Sequence, residues 1–415
     1  MTTTLFRDAQ IFDGVNPGRR PGHVLVEDGI IRAVSDAPIQ GSFDTVVEVG
    51  GRTLMPGLID LHVHIWAADL DVTRLAQQPT EYYAMFAARF LQTSLDHGFT
   101  TLRDAGGTDA GFARAIEQDW IASPRFYHSG RYISQTGGHG DFRAGSQQDL
   151  SGCECCPPRH ERFTAIADGP DAVRRAVREE FRRGARAIKI MASGGVASPS
   201  DPLDALQFTD AEILAAVEEA DVRGSYIFAH CHPDAAIRRA SDLGVRCIEH
   251  GTFVSPETAG VLADNRTYVV PTLAVVKALQ DDGAALGLPE VSQRKLGGAL
   301  DAMLEGLGRF KEAGVKVGFG TDLLGASHER QGDEFALRSE VLNGYDILVS
   351  ATSTAAEILQ EEGRLGVVAP GAHADLLVVD GDPLIDVTVL GHRGATLPVI
   401  MKAGRFHKNE LARIG

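Results

Sequence analysis

Eight short apolar runs, set at intervals through the middle of the chain, constrain this sequence more than any other feature. In order between residues 57 and 322 they read GLIDLHVH, TTLRDAGG, RFYHSGRYIS, AIKIMASGG, YIFAHCH, CIEHG, YVVPTL and VGFGTD. Runs of this length are strand-like, whereas the intervening DAVRRAVREEFRRGA and TDAEILAAVEEADVRG repeat their apolar positions with a helical period. Strand and helix alternating in this way predict an α/β fold, a (β/α)8 TIM barrel over residues 57–365. The ends differ. Residues 1–56 carry short alternating segments broken by Gly and Asp, and GAHADLLVVDGDP and LPVIMKAGRFHKNE restore that texture near the C-terminus. The expectation is a small, discontinuous β-sandwich domain formed by both chain termini, residues 1–56 plus 366–415.

A length of 415 residues is ample for two such units. The formal net charge of −16 argues against nucleic acid or an anionic membrane as partner. No stretch approaches the ~20 continuous apolar residues of a membrane span. MTTTLFRDAQIFDG lacks the basic-then-apolar pattern of a secretory signal, and five cysteines, an odd number, suit reduced thiols. The expected location is therefore cytoplasmic.

In a (β/α)8 barrel the chemistry sits where the strands end, and polar residues occur there. The first run ends with His62 and His64, two apart and so on one face of a strand. The fifth ends at His230, the sixth at His250 and the eighth at Asp322. Imidazoles and a carboxylate converging on one mouth suit a borderline divalent metal such as zinc. Lys189 lies inside the fourth run between Ile188 and Ile190, a position a lysine seldom occupies without a partner.

LMPGLIDLHVH, TTLRDAGG, IEHG, GFGTD, ATSTAAEIL and LGVVAPGAHADLLVVDGDP resemble landmarks of the metal-dependent amidohydrolase superfamily. SQTGGHGD and IKIMASGGVASPSDP resemble a bacterial branch of it, comprising Xaa-Pro dipeptidases, carboxypeptidase-like enzymes and ochratoxin-hydrolysing amidases. The resemblance implies two divalent metal ions, zinc foremost. His62, His64 and Asp322 would hold the more buried ion, His230 and His250 the other, and Lys189, as N6-carboxylysine, would bridge both. Burial favours the neutral amine that such a carbamate requires. The implied reaction is hydrolysis of a small amide or dipeptide by metal-activated hydroxide, with release of an amino acid. Asp322 would serve as base and then acid, assisted by His250. His139 and His232 are implied substrate contacts. Arg143, Arg330 and His328 are further candidates on mouth loops, an arginine being suited to a substrate carboxylate. A homo-oligomer is a family expectation.

Other readings remain at this stage. Cyclic amides, carbamates or esters could be the substrates, as in imidazolonepropionase-like relatives. A non-catalytic scaffold should lack a ligand, and this chain keeps all six. Cys153, Cys155, Cys156 and His160 could hold a structural metal, although their spacing is not the usual one. Cys231 and Cys247 read as small core residues.

Overall fold

The computed structural model describes residues 2–71, 74, 75, 77–143, 162–196, 198 and 201–413. Cys153, Cys155, Cys156 and His160 lie outside the described residues.

The N-terminal strands are β1 (Thr3–Ile11), β2 (Arg20–Glu27), β3 (Ile30–Ser35), β4 (Thr45–Glu48) and β5 (Thr53–Pro56). Nine parallel strands follow: β6 (Leu58–Val63), β7 (Phe99–Asp104), β8 (Arg125–His128), β9 (Tyr132–Ser134), β10 (Thr164–Ile166), β11 (Ile188–Met191), β12 (Ile227–Pro233), β13 (Cys247–Phe253) and β14 (Tyr268–Val270). The chain closes with β15 (Leu376–Val379), β16 (Val399–Lys402), β17 (Arg405–Asn409) and β18 (Ala412–Arg413).

Strands from both ends of the chain build one branched sheet, ordered β17-β16-β15-β5-β1-β2-β3. The branch lies at β1, which pairs with β4 along Thr4–Arg7 and with β5 at Gln10 and Ile11. β15 shows how this sheet is held. Leu376 and Val378 enter a core with Phe6, Val24 and Val47, while Leu377 and Val379 pack on the other face against Leu58, Phe99 and Phe319. Period-two alternation of apolar residues therefore ties the sheet to the central unit.

The central strands form two parallel sheets, β6-β7-β8 and β10-β9-β11-β12-β13-β14. Helices cover them. Pro170–Arg182 buries Val173 and Val177, and Asp210–Asp221 starts with a capping box between Thr209 and Glu212. Two of the eight runs differ from the expectation. RFYHSGRYIS splits into β8 and β9, one in each sheet. VGFGTD forms no continuous strand; it makes one bridge, Val317 to Val269, and hydrogen bonds from Leu61 N to Phe319 O and from Asp322 N to His62 O. The run passes close beneath β6. A Cβ on Gly320 would lie 2.4 Å from Val270 Cγ1 and 2.9 Å from His62 Cβ. Glycine permits this approach at the cost of strand regularity.

Alternation also places the chemistry. In β12, Ile227, Ala229 and Cys231 face the helix-side core, so Phe228, His230 and His232 face inward. In β11, Ile188 and Ile190 pack outward and Lys189 points inward. Among the described residues no helix is long and apolar enough to cross a membrane.

Candidate metal centre and active site

The strand ends gather two groups of donors. His62, His64 and Asp322 form one, and His230, His232 and His250 the other, with the ligand atoms of each group within 4.8 Å of one another. Lys189 adjoins the first group, its Nζ 3.5 Å from His62 Nε2. Rings of the two groups meet directly, His62 and His250 being 5.0 Å apart.

The outer nitrogens of these rings are already engaged. His62 Nδ1 lies 2.6 Å from Glu249 Oε2, His64 Nδ1 3.0 Å from Gly106 O, and His250 Nδ1 2.8 Å from Thr272 Oγ1. His230 instead places Nε2 3.2 Å from Gly194 O. Fixing one ring nitrogen frees the other to ligate, so the donor set fits a divalent ion held mainly by imidazole. Burial also lowers the pKa of His62 to about 4, keeping the ring neutral, as a ligand must be.

Backbone conformation helps aim two of these groups. Ile248 faces the helices and Cys247 and Glu249 face inward, so strict alternation would send His250 away from the mouth. A left-handed φ of +70° turns it back into the cavity, and Asp322 likewise has φ +54°. Non-glycine residues in this region are strained, and such strain concentrates at functional sites.

A buried polar layer supports the donors. Glu249 Oε1 accepts from Arg103 at 2.6 Å and from Cys247 Sγ at 3.1 Å, and Arg103 Nε donates to Leu61 O. Burial opposes ionisation of Glu249, but Arg103 and the bond to His62 outweigh it and hold its pKa to about 2. Asp60 accepts from the backbone N–H of His62 and of Thr321 and from the Thr321 hydroxyl. It thereby joins the two segments that carry His62 and Asp322. Asp104 accepts from the N–H groups of Ile65 and Gly106 and fixes the turn after His64. Sequence reasoning did not single out Asp60, Arg103, Asp104 or Glu249. The signal was available, because each is a charge inside an apolar run, as Lys189 is.

Lys189 is 1 % exposed. Burial lowers its pKa to about 8, against the pull of Glu249 and Asp322, which makes the neutral amine far more accessible than in a free lysine. The Asp322 carboxyl is opposed by burial but held below the usual carboxylate range by His62, His64 and Lys189.

The site opens into a cavity. Its polar end carries the groups above with His139 and His232. His139 stacks on His230 at 4.4 Å, and His232 Nδ1 lies 2.7 Å from Thr252 Oγ1. Its apolar wall includes Phe142, Val196, Val275, Val276, Leu279 and Leu296. Among the described residues, no cation other than Lys189 and the imidazoles lines it.

The remaining sequence candidates stand elsewhere. Arg143 makes a bidentate pair with Asp141, and Arg330 pairs with Asp281, Asp282 and Asp333. His328 is buried against Phe86 and Phe90, with ring centroids 5.3 and 4.1 Å away. None of the three lines the cavity. Cys231 and Cys247 are buried free thiols.

Imidazole and carboxylate donors at the strand ends of an α/β fold, opening on an apolar cavity, make a candidate site for a divalent metal. The chain belongs to the Amidohydrolase family, whose sequence model matches residues 53–405. It is 32% identical over 403 residues to ochratoxinase of Aspergillus niger, covering 94% of this chain and 83% of that protein. A crystal structure of an amidohydrolase superimposes with a TM-score of 0.95 at 46% identity, covering 99% of this chain and 100% of the other. A prolidase complexed with N-methylphosphonate-L-proline superimposes with a TM-score of 0.94 at 41% identity, covering 98% and 100%. The fold is thus TIM-barrel-like with a β-rich domain, and the protein is a hydrolase acting on amide or peptide bonds.

Proposed function

We propose that this chain is a binuclear amidohydrolase that cleaves open-chain amides of amino acids. Its substrates are Xaa-Pro and related dipeptides, N-acyl amino acids and ochratoxin-like amides, with an apolar group beside the scissile bond. The observation that carries this reading is the pair of donor groups with Lys189 beside them, set at one end of an apolar cavity. His62, His64 and Asp322 would hold one divalent ion and His230 and His250 the other, zinc being the best match to the donors. Lys189, whose amine burial favours as neutral, would combine with CO2, lose a proton and serve both ions as a two-oxygen carbamate. Bound metal supplies a water acidic enough to be a nucleophile near neutral pH and a positive charge facing the amide carbonyl.

The chain's own residues do the rest. Asp322 takes the water proton and returns it to the leaving nitrogen. Glu249, Gly106 and Gly194 hold His62, His64 and His230 in one tautomer, and Thr272 orients the ring of His250. His139 and His232 offer N–H groups to the substrate carbonyl or carboxylate. The apolar wall takes the acyl or side-chain group and leaves a charged one without a partner. The two central sheets and the Val317–Asp322 run between them are read as one (β/α)8 barrel, residues 57–365, with residues 1–56 and 366–415 as the second unit.

Elemental analysis combined with a substrate panel tests the reading. Two equivalents of metal per chain are expected in the native protein, with turnover of apolar Xaa-Pro dipeptides or N-acyl amino acids. Lys189→Ala should lose both the bound metal and the activity. Full turnover by metal-free Lys189→Ala, or turnover of lactams alone, would overturn it. One geometric fact favours a variant of the site. His232 joins His230 and His250 as a third nitrogen, and His232→Ala separates the roles: a ligand's loss lowers metal content, a substrate contact's loss raises KM.

A further inference from the structure

The loop that follows β11 is held by a single ammonium. Lys295, at the end of the helix Glu290–Lys295, donates to three backbone carbonyls: Gly195 O at 2.8 Å, Ser198 O at 2.7 Å and Asp201 O at 2.6 Å. These use all three N–H bonds of the group. Carbonyls at such close spacing in one loop would repel one another without a cation between them.

What this loop touches gives the clamp a meaning. Asp201 Oδ2 accepts from Gly195 N at 3.0 Å and lies 3.4 Å from His139 Nδ1. Gln207 joins the two, its Oε1 accepting from His139 N at 2.9 Å and its Nε2 donating to Asp201. The loop backbone also lies directly against the His139 ring, since a Cβ on Gly195 would come within 2.3 Å of it. Val196 of the loop and Leu296, next to Lys295, line the same apolar wall from two different elements. A displacement of the loop by a fraction of an ångström therefore moves both the ring of His139 and the pocket surface.

We infer that Lys295 is a positioning residue, which sets the substrate-facing geometry of His139 and the apolar wall by caging its ammonium in the carbonyls of Gly195, Ser198 and Asp201. The inference rests on the reading of His139 as a substrate contact. Lys295 touches no reacting atom, so its loss should act on substrate binding more than on the chemical step.

Lys295→Met keeps the side-chain stem and removes the three hydrogen bonds. With the best substrate of the panel, KM should rise about tenfold with kcat changed by less than about threefold, a modest case of the cost of misplaced contacts. Hydrogen exchange of the amides of residues 194–201 should accelerate locally in the same variant. Lys295→Ala leaves a channel the length of three methylenes, and n-propylammonium should restore KM there while having no effect on the wild type or on Lys295→Met. Unchanged exchange in Lys295→Met, acceleration across the whole chain, or a fall in kcat at constant KM would each overturn the proposal. Faster local exchange with an unchanged KM would also overturn it, and would leave the assignment of the hydrolytic site intact. The exchange measurement needs no substrate, so it reads Lys295 even in a variant without turnover.

Discussion

Asp322 is the residue whose chemistry can be separated most cleanly from its place in the fold. Its carboxylate lies 3.3 Å from His64 Nε2 and 3.5 Å from His62 Nε2. Asp322→Asn keeps the shape but cannot accept a proton at the same oxygen. On the proposed acid–base role, kcat should fall by about 10²–10⁴-fold with little change in KM in steady-state assays. His328 gives a prediction about stability. Burial, and then the nearby charge of His64, lowers its pKa to about 3, below the usual 6.5. A depressed histidine pKa means that the unfolded chain binds the proton more readily. Stability from this residue is therefore complete above pH 6.5 and declines as pH falls from there toward 3. At pH 5 the loss is about 2 kcal/mol. Thermal melts between pH 7 and 5 should show the decline, and His328→Leu should make it shallower, with the other buried histidines supplying the remainder. At this scale the sequence was informative wherever a charge interrupted an apolar run. It could not say which partner each charge had: Lys189 faces His62, whereas Glu249 links His62 to Arg103.

The Val317–Asp322 run shows what an element's neighbours decide. Its apolar pattern reads as a strand, yet Gly318 and Gly320 let it pass against Leu61, Val270 and His62, and only one bridge forms. Gly320→Ala would place a methyl 2.4 Å from Val270 Cγ1 and 2.9 Å from His62 Cβ. Overpacking of this kind costs about 1–3 kcal/mol, and here it also pushes on a side chain proposed as a metal ligand. A lower melting temperature is expected, together with weaker retention of any bound divalent metal against a chelator. A drop in stability with unchanged retention would show that β6 yields without moving the ring. The helices were easier to read, because DAVRRAVREEFRRGA and TDAEILAAVEEADVRG carry their own period. His250 was not readable in this sense, since the left-handed turn that aims it breaks the alternation from which strand faces are inferred.

For the whole molecule, the sheet built from both termini fixes the relation of the two units. Leu376, Leu377, Val378, Val379, Val399, Ile400 and Met401 are all fully buried in it. Each such side chain contributes roughly 1.5–3 kcal/mol, so removing residues 376–413 forfeits about as much as a typical domain's entire net stability. The truncated chain is expected to be insoluble or to melt without cooperativity, which expression followed by calorimetry would show. The sequence by itself determined the α/β class, a β-rich part beside it, and which residue types stand within its apolar runs. These rest on periodicity and on polar residues within apolar runs, both local properties. Only the tertiary structure decided that His232 joins His230 and His250, and that Arg143, Arg330 and His328 turn to other partners. It also decided that Lys295 reaches the loop at residues 195–201. The reason is physical: a side chain's partner is chosen by whichever segment packs against it, and no period along the chain records which segment that will be.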